Sequence, residues 1–189
     1  MSSLKPDLVV LSIAATDGET FALSAVRRDE TGIAAFSRLI ETTNPVPPGV
    51  LGAQGIPVAA MQEAKAIGAA LQDLLAFLPA KGIFLSHDAD NVRAWVRKAL
   101  PGVFEHTILS THELAGILFP SVGSHELRDL ADSLGLQMTA DATVPDFRLG
   151  QDTLFTLSLW DRLAEEAESL PPALVRELYS QFAPLRTHP

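Results

Sequence analysis

The stretch DLVVLSIAA, residues 7–15, decides the fold. Only Asp7 and Ser12 interrupt an otherwise apolar run that is rich in valine, leucine and isoleucine. Side chains of a strand alternate between its two faces, so a strand that is apolar at nearly every position must be covered on both sides. The stretch therefore predicts a central strand of an α/β sheet.

Two further strands are predicted directly downstream. Residues 20–28 (TFALSAVRR) alternate apolar and polar side chains, and residues 33–41 (IAAFSRLIE) continue in the same way. The turn sequences TDGE (16–19) and DETG (29–32) separate the three strands. Because these connections are short, the strands are expected to form an antiparallel meander.

The rest of the chain alternates helical and strand patterns after a Pro- and Gly-rich loop, residues 42–57. Apolar spacing predicts helices and short strands. The predicted helices cover residues 61–78, 89–100, 111–118, 124–134 and 150–168, and the predicted strands cover residues 82–86 and 106–109. Two strands joined by helices extend the meander to a mixed five-stranded sheet with helices on both faces. The fold class is therefore a three-layer αβα arrangement.

Composition narrows the class of protein further. The chain has 189 residues, is 47% hydrophobic and contains no cysteine. It can bury a sizeable single core, and disulfides, cysteine–zinc sites and thiol catalysis are excluded. The net charge is −9, and most of the acidic excess lies after residue 100. The chain therefore has no overall positive charge that would attract nucleic acid. No apolar run reaches the ~18 residues of a membrane helix, so we expect a cytoplasmic protein without a membrane partner.

Five stretches of the sequence occur in the order and spacing of a known family. They are LVVLSIAAT (8–16), FSRLIETTNPVPPGVLGAQGI (36–56), GIFLSHDADNVRAWVRKAL (82–100), ILSTHELAGILFPSVGSHELRDLADSLGL (108–136) and DFRLGQDTLFTLSLWDRL (146–163). Together they resemble the 3′–5′ exonuclease family of the DNA polymerase III epsilon proofreading subunit, within the ribonuclease H-like superfamily.

This resemblance has consequences for domain organisation. It implies an exonuclease-like domain over residues 1–168, with the ribonuclease H-like version of the αβα fold, and a link to DNA replication or repair. Residues 169–189 are predicted to be a C-terminal helical extension. The segment 163–182 also resembles the region after the exonuclease domain in exonuclease–helicase fusions.

The family's catalytic residues are mostly absent. Its members use four carboxylates to hold two divalent metal ions, and a histidine as general base. By the resemblance, the four carboxylate positions fall on Ser12, Ala14, Val92 and Asp152, and the general base falls on Phe147. Only Asp152 retains the family's residue type. The resemblance therefore implies a catalytically inactive domain, with no metal cofactor expected, and with Mg²⁺ or Mn²⁺ required for any residual activity.

Other acids offer an alternative interpretation of the site. Asp17 lies just after the first strand, and Asp88 precedes the helix that carries Val92, so Asp17, Asp88 and Asp152 are candidate ligands of a rearranged metal site. In the other interpretation these acids are solvated turn and cap residues, with Asp88 or Asp90 capping the helix that begins beside them.

Four further side chains are candidates for lining a groove. His87 either contacts substrate or forms a hydrogen bond at a strand end. Arg93 and Arg97 either hold phosphates or lie on a solvated helix face. Arg148 either points into the groove or forms an ion pair with one of two aspartates, Asp146 and Asp152.

These observations support three functional hypotheses. The first is an inactive exonuclease-like domain that serves as a binding or scaffold module. The second is a 3′–5′ exonuclease with a rearranged metal site. The third is a domain that binds nucleic-acid ends without chemistry. Because acidic surfaces repel phosphate, the charge of the chain favours a protein partner over nucleic acid.

Overall fold

A computed structural model describes residues 7–137, 147–171 and 173. It contains a five-stranded sheet in the order β3-β2-β1-β4-β5. The strands are β1 (Leu8–Thr16), β2 (Glu19–Asp29), β3 (Gly32–Leu39), β4 (Ile83–Ser86) and β5 (Ile108–Ser110). Strands β1, β2 and β3 pair antiparallel, whereas β4 pairs parallel to both β1 and β5. The predicted mixed sheet is confirmed.

Helices cover both faces of this sheet. They are α1 (Pro48–Ala53), α2 (Ile67–Phe77), α3 (Ala89–Ala99), α4 (Thr111–Leu118), α5 (Leu127–Leu134) and α6 (Arg148–Ser169). On one face, Val9 and Leu11 of β1 pack in a cluster with buried residues of α2 and α3. On the other face, Leu8 and Val10 pack with Leu154 of α6. The three-layer αβα arrangement is therefore confirmed.

The predicted helix over residues 61–78 is wrong in its first third, residues 61–66. A short 3₁₀ segment (Val58–Glu63) comes first, and α2 begins at Ile67. Between them Lys65 lies in an extended conformation at the sheet edge, where its N–H donates to the Leu39 carbonyl and its carbonyl accepts from the Glu41 N–H, both at 2.9 Å. These backbone bonds replace helical ones, which local apolar spacing cannot reveal.

The other predicted boundaries differ from the observed ones by a few residues, and the described part of the chain contains one α-helix that was not predicted. The predicted loop over residues 42–57 contains α1, which begins at Pro48, a residue whose fixed φ suits the first helical position. Helix α5 begins at Leu127 rather than at residue 124. Most of the predicted C-terminal extension, residues 169–189, lies outside the described residues, so this extension stays a prediction. No helix in the described ranges is long and apolar enough to cross a membrane.

Gly82, directly before β4, is required by a close backbone approach. A Cβ at this position would lie 2.9 Å from the Asp7 carbonyl oxygen, which accepts the hydrogen bond of the Ile83 N–H. A backbone oxygen that is hydrogen-bonded in the sheet cannot move away from the added methyl group. We therefore expect Gly82→Ala to lower the free energy of unfolding by about 1–3 kcal/mol. Gly68→Ala in α2 is the matched control, since a Cβ added there would meet no atom within 4 Å apart from its chain neighbours and its own helix backbone. Urea unfolding of both variants measures the difference. Equal stability of the two would contradict the steric argument.

Candidate functional site

The end of β1 and the start of α6 meet in an apolar cluster. Ala14 and Phe147, onto which the sequence resemblance places two catalytic positions, both belong to this cluster, together with Val46, Leu51 and Leu149. Ala14 is buried in β1, and Phe147 lies directly before α6. Neither side chain can bind a metal ion or transfer a proton. Their shared surroundings are those of a packed core.

Val92 and Ser12, the other two uncharged positions of the sequence resemblance, lie in a helix and a strand of the fold. Val92 of α3 is 1% exposed and packs in the cluster that contains Val9 and Leu11. Ser12 of β1 is half-buried and lies opposite Ser24 of β2 in the sheet. Val92 therefore contributes to apolar packing and offers no group that could bind a metal ion.

Asp152, the one carboxylate among the positions of the sequence resemblance, forms ion pairs with two arginines. Arg128 of α5 approaches one carboxylate oxygen, with Nε at 2.8 Å and Nη2 at 2.7 Å. The Nε of Arg148 lies 3.7 Å from the other oxygen. Arg128 is further fixed by a bond to the Gln151 Oε1 at 3.2 Å and by its position over the Phe155 ring, 5.2 Å from the centroid. The carboxylate thus serves as the acceptor of an ordered ion pair.

These arginines also line a shallow cleft of about 360 Å³ with Gln151. The cleft lies at the start of α6, whose first turn carries Arg148 and no acidic residue. A helix N-terminus bears a partial positive charge, so an arginine at that end adds to the local positive potential. Among the described residues at this cleft, two arginines and Asp152 leave one net positive charge, on a chain of net charge −9.

The alternative metal ligands do not come together. Asp17 lies exposed in the turn after β1, with a positive φ of 51°. Asp88 occupies the N-cap position of α3, but its carboxylate accepts from the Asn91 side chain at 2.7 Å rather than from a backbone N–H. Within residues 7–137, 147–171 and 173, no group of three or more His, Asp or Glu side chains is arranged to hold a metal ion. The rearranged site from Asp17, Asp88 and Asp152 is therefore not assembled.

The basic residues of α3 differ in their roles. The Nε and Nη2 of Arg93 donate to the Ile108 carbonyl at 3.0 and 2.8 Å, and its Nη1 donates to Asp90 at 2.9 Å. These bonds tie α3 to β5, so the Arg93 guanidinium stabilises the fold instead of lining a groove. Arg97 is exposed on the same helix.

His87 connects the end of β4 to two other segments. Its Nε2 lies 2.9 Å from the His125 carbonyl, and its Nδ1 lies 3.0 Å from the Thr111 hydroxyl. A carbonyl can only accept, so Nε2 carries the proton and Nδ1 accepts from Thr111. Burial lowers the pKa of His87 below its ordinary value, although the bond to the His125 carbonyl opposes this effect. His87 therefore forms the hydrogen bonds at a strand end that one of the two sequence interpretations predicts.

Sequence reasoning missed Arg128 and Gln151. Arg128 is 24 positions from Asp152 and lies on a different helix. No local pattern marks this pairing, because it depends on how α5 packs against α6. For Arg148 the structure shows the ion pair with Asp152, while Asp146 lies outside the described residues.

Solved structures of nucleases share this fold. Exonuclease X, in complex with 5′-overhanging duplex DNA, superposes with a TM-score of 0.65 at 16% identity, over 86% of this chain and 94% of that chain. The nuclease domain of 3′hExo, a DEDDh family member bound to rAMP, gives 0.64 at 13% identity, over 88% and 95%. Cell-death related nuclease 4 gives 0.64 at 12% identity, over 85% and 64%. No protein-family model and no curated protein matches the sequence. These similarities establish the exonuclease-like, ribonuclease H-like fold.

The surroundings of His87 predict a pH dependence of stability. Because its folded pKa is lowered, the unfolded chain binds this proton more readily than the folded chain does. Neutral His87 makes its full contribution to the free energy of unfolding above pH 6.5, the pKa of this group in the unfolded chain. The contribution is lost as the pH falls below that value. We expect His87→Gln to flatten the decline in unfolding free energy between about pH 7 and pH 5, measured by urea unfolding. His106, which stacks on the Phe84 ring and is not among the groups that shift the His87 pKa, supplies the control His106→Gln. An unchanged pH profile in His87→Gln would contradict this assignment.

Proposed function

We propose that this chain is a non-catalytic exonuclease-like domain of the epsilon proofreading type, which acts as a binding module for a protein partner in DNA replication or repair. The observation that carries the proposal is the state of Asp152. The single carboxylate that the family positions retain is paired with Arg128 and Arg148. The other positions hold side chains without charge, and Ala14, Phe147 and Val92 pack in apolar clusters.

Charge explains why this arrangement does not suit two-metal chemistry. Two divalent cations need several carboxylates to offset their charge and to fix them a few ångström apart. Here one carboxylate is shared by two guanidinium groups, and the cleft beside it is net positive. A dication at Asp152 would have to displace these arginines and would be repelled by them.

The fold itself remains suited to binding. It presents a sheet with ordered helices on both faces, and function depends on the sites that such a scaffold carries. The acidic character of the chain opposes general binding to phosphate and favours a protein partner.

A nuclease assay with matched variants tests the proposal. Wild type, Asp152→Ala and Asp161→Ala are incubated, in excess over substrate, with end-labelled single- and double-stranded DNA and RNA in Mg²⁺ and in Mn²⁺. Asp161 is the control because it also lies on α6 and pairs with an arginine, Arg28, at 2.6 Å. We expect no cleavage by any of them. Each variant should lose about 1 kcal/mol of unfolding free energy, the value of a partly exposed ion pair.

The contrary outcome is well defined. Cleavage that wild type and Asp161→Ala share, and that Asp152→Ala lacks, would establish a metal-dependent 3′–5′ exonuclease with a rearranged site. A rise in wild-type melting temperature with Mg²⁺ or Mn²⁺, absent in Asp152→Ala, would point the same way, because a ligand that binds the folded state stabilises it.

The cleft at the start of α6 favours a second candidate function, the binding of a nucleic-acid end without chemistry. Its arginines place a local positive charge beside a helix N-terminus. For this candidate we expect fluorescence anisotropy to show that labelled single-stranded DNA binds and that its affinity falls steeply with salt. Arg148→Ala should weaken binding severalfold, whereas Arg162→Ala, farther along α6 and paired with Glu165, should not. Absence of binding at low salt would exclude this candidate.

A further inference from the structure

We propose that the outer edge of β3 is a docking site for an extended, acidic and apolar segment of a partner protein. The segment adds a sixth strand to the sheet and places alternate side chains in a groove between β3 and α2. This inference rests on the proposed function, since it names the surface through which the binding module holds its partner.

Backbone geometry shows which groups of β3 face outward. The Ile40 N–H donates to the Phe21 carbonyl at 2.8 Å, so the backbone at position 40 points inward, toward β2. Because successive residues of a strand point their N–H and C=O to opposite edges, Ile33, Ala35 and Ser37 direct theirs away from the sheet. β3 is the edge strand of the sheet, and no further strand of the described chain covers this row.

The chain itself already uses this edge for pairing at one end. The Leu39 carbonyl, in the same outward row, accepts from the Lys65 N–H at 2.9 Å, and residues 40 and 65 form a parallel bridge. The Ser37 carbonyl accepts from the Arg38 guanidinium at 2.8 Å. Among the described residues, no hydrogen bond reaches the outward groups of Ile33 and Ala35. The edge thus accepts strand-like partners, and part of it is open.

The usual protections of an edge strand are missing from β3. Proteins commonly block such edges with lysine, proline, bulges or inward-pointing charges. The sequence of β3 is GIAAFSRL, and its single charged residue, Arg38, lies near its end. Its pairing with β2 is regular over the eight residues from Gly32 to Leu39. An unblocked edge of this length can bind an extended peptide through main-chain hydrogen bonds.

A groove of about 470 Å³ runs between this edge and α2. Its apolar part contains Phe36 and Phe77, whose ring centroids are 5.5 Å apart, and the exposed Ala76. Its polar part contains Arg38, which lies over the Phe36 ring, and Asp73. A strand paired with β3 directs every second side chain to this face of the sheet. Backbone groups therefore supply affinity, and the groove selects the side chains.

Charge identifies the kind of partner. Asp73 is shared by Arg38, at 2.9 Å, and Lys65, at 2.8 Å, which leaves one positive charge unmatched. A third cation, Arg27, lies over the Phe77 ring and is matched by Asp29 at 3.3 Å. Arg38 and Asp73 of the groove lining balance each other, and Lys65 beside the groove adds one net positive charge, on a chain of net charge −9. This contrast favours an acidic segment and disfavours a second copy of the chain, because two copies repel each other.

A designed peptide pair tests the proposal on the full chain. The probe is a blocked, fluorescently labelled heptapeptide of alternating valine and aspartate, and its control has lysine in place of aspartate. We expect saturable binding of the acidic peptide and at least about tenfold weaker binding of the lysine peptide. Amide exchange of Ile33, Ala35 and Ser37 should slow when the acidic peptide binds, because these N–H groups become hydrogen-bonded.

Two variants and one control locate the site. Ala35→Pro removes an outward donor without removing a bond to β2. Ala76→Glu leaves the sheet intact and places a negative charge in the groove on an exposed helical position. Each variant should lower the affinity for the acidic peptide by at least about tenfold. Gln72→Glu, on α2 but outside the groove, should change this affinity less than about twofold.

Three outcomes overturn the inference. The first is that the acidic peptide shows no saturable binding, and the second is that Ala35→Pro and Ala76→Glu leave its binding unchanged. The third is that the chain self-associates in analytical ultracentrifugation and that Ala35→Pro abolishes this self-association, because the occupant of the edge would then be a second copy of the chain. The nuclease assay reports separately on the proposed function. If the chain cleaves nucleic acid and still binds the peptide, the inactive-domain proposal is wrong and the docking site stands. If the chain neither cleaves nucleic acid nor binds the peptide, the docking site is wrong and the inactive-domain proposal stands.

Discussion

The burial of β1 on both faces is the constraint on which the rest of the structure depends. Val9 and Val10 are both inaccessible to solvent, although they point to opposite sides of the sheet. One side is covered by α2 and α3, and the other by α6. An apolar strand of this kind is stable only between two layers of helices. β1 therefore fixes the layered architecture, and its two neighbours, β2 antiparallel and β4 parallel, fix the mixed sheet.

The end of the same strand meets the start of α6, and this region is stabilised by apolar packing and by an ion pair. Ala14 and Phe147 contribute to an apolar cluster. Asp152 contributes through an ion pair with Arg128 instead of through a metal ion. Carboxylates that surround dications repel one another when the metal is absent, whereas packed side chains and a paired carboxylate carry no such cost. Under the proposed function, this arrangement exchanges a site for chemistry for local stability.

The proposed docking edge is independent of this exchange. It lies on β3, at the end of the sheet opposite β5, and it relies on backbone groups and on the groove beside α2. A scaffold can lose its reactive side chains and still present an open strand edge, since main-chain hydrogen bonding does not depend on side-chain identity. The cleft beside Arg128 and the groove beside Arg38 are both locally positive, so both contrast with the acidic character of the chain as a whole.

The sequence by itself determined the strand meander, the two helix-connected strands after it and the lack of a carboxylate or an imidazole at Ser12, Ala14, Val92 and Phe147, because periodicity and residue type are local properties. It did not determine that Lys65 would join the sheet edge and interrupt the predicted helix. Nor did it indicate the pairing of Arg128 with Asp152 or the groove between β3 and α2. These features join residues that are far apart in the chain. Only the packing of helices on the sheet brings them together, so the tertiary structure alone decided them.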